Sequence, residues 1–239
     1  MKMRIGLFDS GIGGLTVLKE LIRKYPNNEY IYFGDTKNVP YGDKSVKSLM
    51  ELADYNIKFL IDKGVDIIII ACGTISSNCF DLIKEKYNIP IYGIINPTIL
   101  YLNTTKYKNI LVMATKRTIE SHIFKKNLNM NVTEIETPEL AYLIEKNDIN
   151  MICRLLDKYL SMYVNKFDAL VLGCTHYPII KEYISKVLPN TDIIDMASYI
   201  KIDNGVKFSL EIYFSKVDNE LVSNVKRILN NDDVVINMT

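Results

Sequence analysis

"VDIIIIACGTISSN" (residues 65–78) carries an unbroken apolar run into a cysteine and then into small polar residues; "FDALVLGCTHYPII" (residues 167–180) has nearly the same shape. A short continuous apolar run closed by small polar residues is the pattern of a strand buried on both faces. Each stretch therefore places a thiol, Cys72 or Cys174, at the carboxyl end of a buried strand. Outward from these two, strand-like runs fall at 4–8, 30–33, 66–71, 91–95, 110–113, 132–135, 169–173 and 193–194. Segments long enough for helices separate them, and apolar residues recur at helical spacing over 15–24 and 49–63. Apolar strands alternating with helices predict parallel sheets covered on both faces.

The order of elements also repeats. Aligning Ile5 with Ile110 sets "IGLFDS" against "ILVMAT". Asp66 precedes Cys72 by the same interval as Asp168 precedes Cys174, and the next strand opens at matching distances, at Ile91 and Ile193. The chain is thus expected to form two similar open parallel-sheet α/β domains with a pseudo-two-fold relation and an interdomain active-site cleft. The closing segment "LEIYFSKVDNELVSNVKRILN" reads as a strand and an amphipathic helix that cross back to the first domain. The expected domains are residues 1–97 with 208–239, and residues 98–207.

Composition narrows the setting. With 239 residues, 48% hydrophobic and 24% charged, the chain can bury a sizeable core. A net charge of +1 announces neither a nucleic acid nor a basic partner. No apolar run approaches the ~20 residues of a membrane helix, and Met1-Lys2-Met3-Arg4 enters a strand at once, so a cytoplasmic protein is expected. The four cysteines include no CxxC pair, which argues against a zinc knuckle or a redox dithiol. No metal or cofactor site is expected. Homodimerisation stays open, since nothing in the sequence sets the oligomeric state.

In open α/β sheets, ligands bind beyond the carboxyl ends of strands, where helix N-termini suit a carboxylate. The same potential is expected to lower a thiol from its usual pKa of ~8.5. If the domains face each other, the two thiols flank one cleft. A base on each face of one carbon is what inversion of a stereocentre needs: one thiolate takes the α-proton and the opposite thiol returns one. Thr74, Thr175 and His176 lie beside the thiols and can hold an α-carboxylate. Asp9 and Ser10 end the first strand, and Asp9 is placed to meet an ammonium or orient a thiol. Gly11, Gly13 and Gly14 are expected to let backbone approach an anion.

Together "FDSGIGGLTVLKE", "YFGDTKNVPYGDKS", "IIIIACGTISS", "ATKRTIES" and "LVLGCTHYPII" resemble the successive motifs of bacterial glutamate racemases, in the aspartate/glutamate racemase superfamily. The resemblance spans roughly residues 5–200 in motif order. It implies cofactor-independent supply of D-glutamate for peptidoglycan, with an amino acid as small-molecule partner. Cys72 and Cys174 would be the bases, Asp9 assisting the first and His176 the second. Asp9, Ser10, Tyr41, Gly42, Gly73, Thr74, Thr175 and His176 would meet substrate, with Thr115 and Thr118 beside them. The family usually reads Cys-Asn-Thr where this chain has Gly73 after Cys72. A missing amide predicts a gain in glutamate turnover from Gly73→Asn, and it keeps aspartate or another small amino acid in view as substrate.

Plainer roles fit other residues. Cys79 and Cys153 read as small core hydrophobes, and His122 as a surface or capping residue. Tyr41 in "VPYG" also fits ordinary turn chemistry. "GIGG" lacks the spacing of a nucleotide fingerprint. Two rival functions remain: a thiol hydrolase using Cys174 with His176, and a catalytically degenerate ligand-binding relative.

Overall fold

The computed structural model describes residues 3–239; Met1 and Lys2, which open the expected first domain, lie outside the described residues. The first sheet holds β1 (Arg4–Asp9), β2 (Glu29–Gly34), β3 (Ile67–Ile70), β4 (Ile91–Gly93), β9 (Ser209–Phe214) and β10 (Ile236–Met238). The second holds β5 (Asn109–Ala114), β6 (Asn131–Glu136), β7 (Ala169–Leu172) and β8 (Asp192–Asp195). All the pairings are parallel. The run β2-β1-β3-β4 recurs as β6-β5-β7-β8, so the sequence repeat is a repeat of strand order. The architecture is two parallel-sheet α/β domains.

Helices cover both faces. Around the first sheet run α1 (Leu15–Lys24), α2 (Val46–Asp62), α3 (Gly73–Asn78), α4 (Phe80–Lys86) and α5 (Ile95–Leu102). The second half adds α6 (Lys116–Ser121), α7 (Ile123–Asn127), α8 (Leu140–Glu145), α9 (Ile149–Leu160) and α10 (Lys181–Val187), and α11 (Asn219–Leu229) lies between β9 and β10. Ser45 starts α2 by accepting the Ser48 amide.

Strand alternation sorts the core. Ile5, Leu7 and Ile69 of the first sheet share one cluster with Ile110, Val112 and Val171 of the second, together with α1, α5 and α11. The opposite faces pack on their own helices: Ile68 and Ile70 with α2, Leu170 and Leu172 with α9. Cys72 belongs to the former outer cluster and Cys174 to the latter, so the thiols occupy equivalent faces of equivalent strands.

The repeated aspartates serve the strands. Asp66 Oδ2 accepts the Arg4 amide at 2.7 Å; Asp168 Oδ2 accepts the amides of Lys108 and Asn109 at 2.6 and 2.8 Å. Each carboxylate satisfies amides at the start of the neighbouring strand, far from the thiols, and the shared bonds hold Asp168 below the usual carboxylate range.

Two expectations need correction. The run 91–95 ends as strand at Gly93, and Ile95 already opens α5. Apolar residues continue across that junction, so pattern alone could not place it. β10 was not expected: it is three residues long at the sheet edge and presents no readable period.

Candidate active site

Cys72 follows β3 and precedes the first turn of α3; Cys174 follows β7 after Gly173. Both line one cavity of about 360 Å³ at the carboxyl ends of the two sheets. Ser10, Tyr41, Gly42, Gly73 and Thr74 share its wall from the first half, and Thr115, Thr175 and His176 from the second. Asp9 and Thr118 are not among the lining residues.

Asp9 lies fully buried behind that wall. Its Oδ2 accepts the Gly11 and Gly14 amides at 3.1 Å each, and its Oδ1 accepts the Thr175 hydroxyl at 3.3 Å. Burial raises its pKa; the positive His176 and these hydrogen bonds pull the other way. Asp9 thus organises the glycine loop and reaches the second half through Thr175. At Gly13 and Gly14 the missing side chains make room for protein. A Cβ on Gly13 would sit 2.4 Å from Thr175 Oγ1 and 2.5 Å from His176 Nδ1, so the two motif loops pack on each other there. Thr16 Oγ1 adds a 2.9 Å bond to the Thr175 carbonyl.

The hydroxyls form a chain across the cleft: Thr74 to Thr115 at 3.0 Å, Thr115 to Thr118 at 3.1 Å, and Ser77 to Thr118 at 3.4 Å. Tyr41 donates to Asp35 Oδ2 at 2.7 Å, and Ser215, just beyond β9, donates to Asp35 Oδ1 at 2.7 Å. The returning C-terminal segment thereby braces the cavity wall at Tyr41.

The thiols differ in setting. Burial, and then the negative Asp9, push Cys72 up to about 12; the amides of Ile75 and Thr74 oppose this without reversing it. The expectation that a helix N-terminus lowers this thiol is therefore overturned, because desolvation exceeds the potential of one short helix. Cys174 Sγ faces His176 Nδ1 at 3.6 Å, and His176 Nε2 meets Glu145 Oε1 at 2.7 Å. Burial opposes charge on this imidazole, but Cys174 and Glu145 outweigh it and hold His176 well above the usual histidine value. His176 thus bridges the Cys174 sulfur and the Glu145 carboxylate, whereas burial holds Cys72 in its thiol form.

Sequence reasoning missed Glu145. It ends α8, a short helix with no counterpart in the other half, and only the tertiary fold brings it to His176. Lys116, Pro138, Ala141 and Tyr142 also line the cavity without any motif to mark them. Cys79 is buried between α3 and α4, Cys153 is half-buried on α9, and His122 joins α6 to α7 while pairing with Glu134 at 2.7 Å. Among the described residues, no three His, Cys, Asp or Glu side chains are grouped to hold a metal ion. No described helix is long and apolar enough to cross a membrane.

Two parallel-sheet domains thus bring equivalent thiols to the wall of one cavity. The chain belongs to the family described as Asp/Glu/Hydantoin racemase, which matches residues 22–199. A glutamate racemase of Fusobacterium nucleatum is 45% identical over 192 residues, covering 77% of this chain and 73% of that one. The glutamate racemase RacE1 of Bacillus anthracis superposes with a TM-score of 0.89 at 28% identity, covering 99% of this chain and 96% of that one. The Francisella tularensis glutamate racemase, solved in complex with D-glutamate, gives 0.85 at 32% identity, covering 100% and 97%.

Gly73 is tighter than the sequence suggested. A Cβ there would lie 2.7 Å from the Gly173 carbonyl oxygen, backbone of the opposite thiol loop. This close approach argues against the expected gain from Gly73→Asn, since the two loops must separate before any amide can act. Gly73→Asn and Gly73→Ala should both lower turnover, by up to about a hundredfold if the thiols shift by ~1 Å. Steady-state rates of the two variants check this; a faster Asn variant would contradict it.

Proposed function

We propose that the protein interconverts L- and D-glutamate without a cofactor, using Cys174 and Cys72 as opposed proton-transfer groups. The observation that carries this reading is the pair of equivalent thiols, one from each sheet, on the wall of a single cavity. For the L-enantiomer, the Cys174 thiolate takes the α-proton and the electron pair stays on the α-carbon, delocalised into the carboxylate. The Cys72 thiol then delivers its proton to the opposite face, giving the D-enantiomer with Cys174 now protonated. The reverse direction exchanges the roles. His176, held protonated by Glu145, stabilises the Cys174 thiolate; the high value of Cys72 makes it the donor toward the carbanion from the L-enantiomer and, once ionised, a strong base for the D-enantiomer. The hydroxyls of Thr74, Thr115 and Thr175 and the backbone at Gly73 are placed to hold the substrate carboxylates. D-glutamate so formed would serve peptidoglycan synthesis, as the family resemblance implies.

Incubation with L-glutamate or L-aspartate in D2O, followed by NMR and chiral separation, tests the reading. Deuterium at the α-carbon and a racemic product are expected with glutamate, before and after exhaustive chelation. Exchange with aspartate alone would move the substrate assignment. Binding without exchange of either would indicate a degenerate relative, and ester hydrolysis surviving Cys72→Ala a thiol hydrolase.

A further inference from the structure

The Glu145 carboxylate that supports His176 stands on the last residue of a six-residue helix, half-exposed and followed by a turn at Asn147 with φ of 54°. Its hold comes from the far end of the chain. Asn224 Nδ2 donates to the Glu145 carbonyl at 2.8 Å. Arg227 donates to the Ile144 carbonyl at 3.2 Å and to Asn147 Oδ1 at 2.8 Å, and it also bonds Asn224 Oδ1 at 2.8 Å. Lys146 pairs with Glu220 at 2.7 Å. Glu220, Asn224 and Arg227 form one stripe of α11, while Leu221, Val225 and Ile228 anchor the helix in the core shared by both sheets. The last carbonyls of a helix lack partners further along it; here the Glu145 carbonyl takes the Asn224 amide, and the Ile144 carbonyl takes Arg227 beside the Asn147 amide at 3.2 Å.

We propose that Asn224 and Arg227 are positioning residues for the Cys174 half of the reaction. By capping the end of α8 they fix the Glu145 carboxylate on His176, and through it the imidazole on Cys174. Among the described residues, these contacts end on the Cys174 sulfur, and none of them is made to Cys72 itself. The inference rests on the two-thiol reading, and it assigns the C-terminal helix a part in one half-reaction only.

Racemisation rates cannot separate the halves. The products are enantiomers of equal free energy, so kcat/KM is the same in both directions whatever the variant. Elimination from glutamate bearing a β-chloro group can separate them. The base takes the α-proton, the C–H electron pair forms the Cα=Cβ bond, and chloride leaves with its own pair. Each enantiomer then reports only the thiol on its own face.

Asn224→Asp keeps shape but removes the donor, and Arg227→Met alters an exposed side chain with little risk to folding. Both should slow elimination from the L-enantiomer by about tenfold, the scale of a sub-ångström misplacement, and leave the D-enantiomer at the wild-type rate. The alkaline limb of the L-profile should also move to lower pH, as Glu145 loosens its hold on the imidazolium. Equal slowing of both enantiomers, or of neither, in folded Arg227→Met would overturn the positioning role. Cys174→Ser is the control: if it does not selectively impair the L-enantiomer, the two-thiol reading itself has failed.

Discussion

Cys72→Ser and Cys174→Ser are each expected to abolish racemisation in both directions, with losses on the order of 10²–10⁴-fold, the range a positioned acid or base contributes. A serine hydroxyl is far less acidic than a thiol, so it neither ionises as a base nor gives up its proton on demand. Every turnover uses both groups, which is why one substitution stops both directions. With β-chloro-substituted glutamate the variants should part company: Cys72→Ser keeps elimination from the L-enantiomer, and Cys174→Ser from the D-enantiomer. Chiral analysis of residual substrate reads this directly. If both variants spare the same enantiomer, or either keeps full racemisation, the opposed-thiol mechanism is wrong.

Glu145→Gln should cost about ten- to a hundredfold in turnover, matching the ~1.5–3 kcal/mol of a charge-assisted hydrogen bond. The amide keeps the shape but not the charge that holds the proton on His176. Without it the imidazolium loses its proton at lower pH, so the alkaline limb of the rate profile should shift downward. The sign for stability runs the same way. His176 binds its proton more tightly folded than unfolded, so its contribution is full below the ordinary value of 6.5 and fades as pH rises through the higher folded value. Rate profiles and melting temperatures across neutral to alkaline pH check both statements. An unchanged alkaline limb would remove Glu145 from the proton inventory.

The repeat, the class of both sheets and the placing of two thiols at equivalent strand ends were legible in the residues alone. These rest on local apolar runs and on matching intervals around Cys72 and Cys174, which survive translation into structure because strand parity is set residue by residue. The sequence also marked Ser10, Thr74 and Thr175 on the cavity wall, since they stand within a few residues of strand ends, while Gly42, well beyond β2, came with the family resemblance. What those thiols experience depends on the packed fold. Burial raised Cys72 where helix position alone suggested the opposite, because desolvation depends on everything packed around the sulfur. Asp9 turned inward to hold the glycine loop, and Gly73 proved to be the contact point with Gly173 rather than an empty place. Glu145 reached His176 from a helix with no counterpart in the repeat, and α11 reached Glu145 from the end of the chain. Contacts across such separations depend on how the two sheets meet over their shared core, which no local pattern encodes.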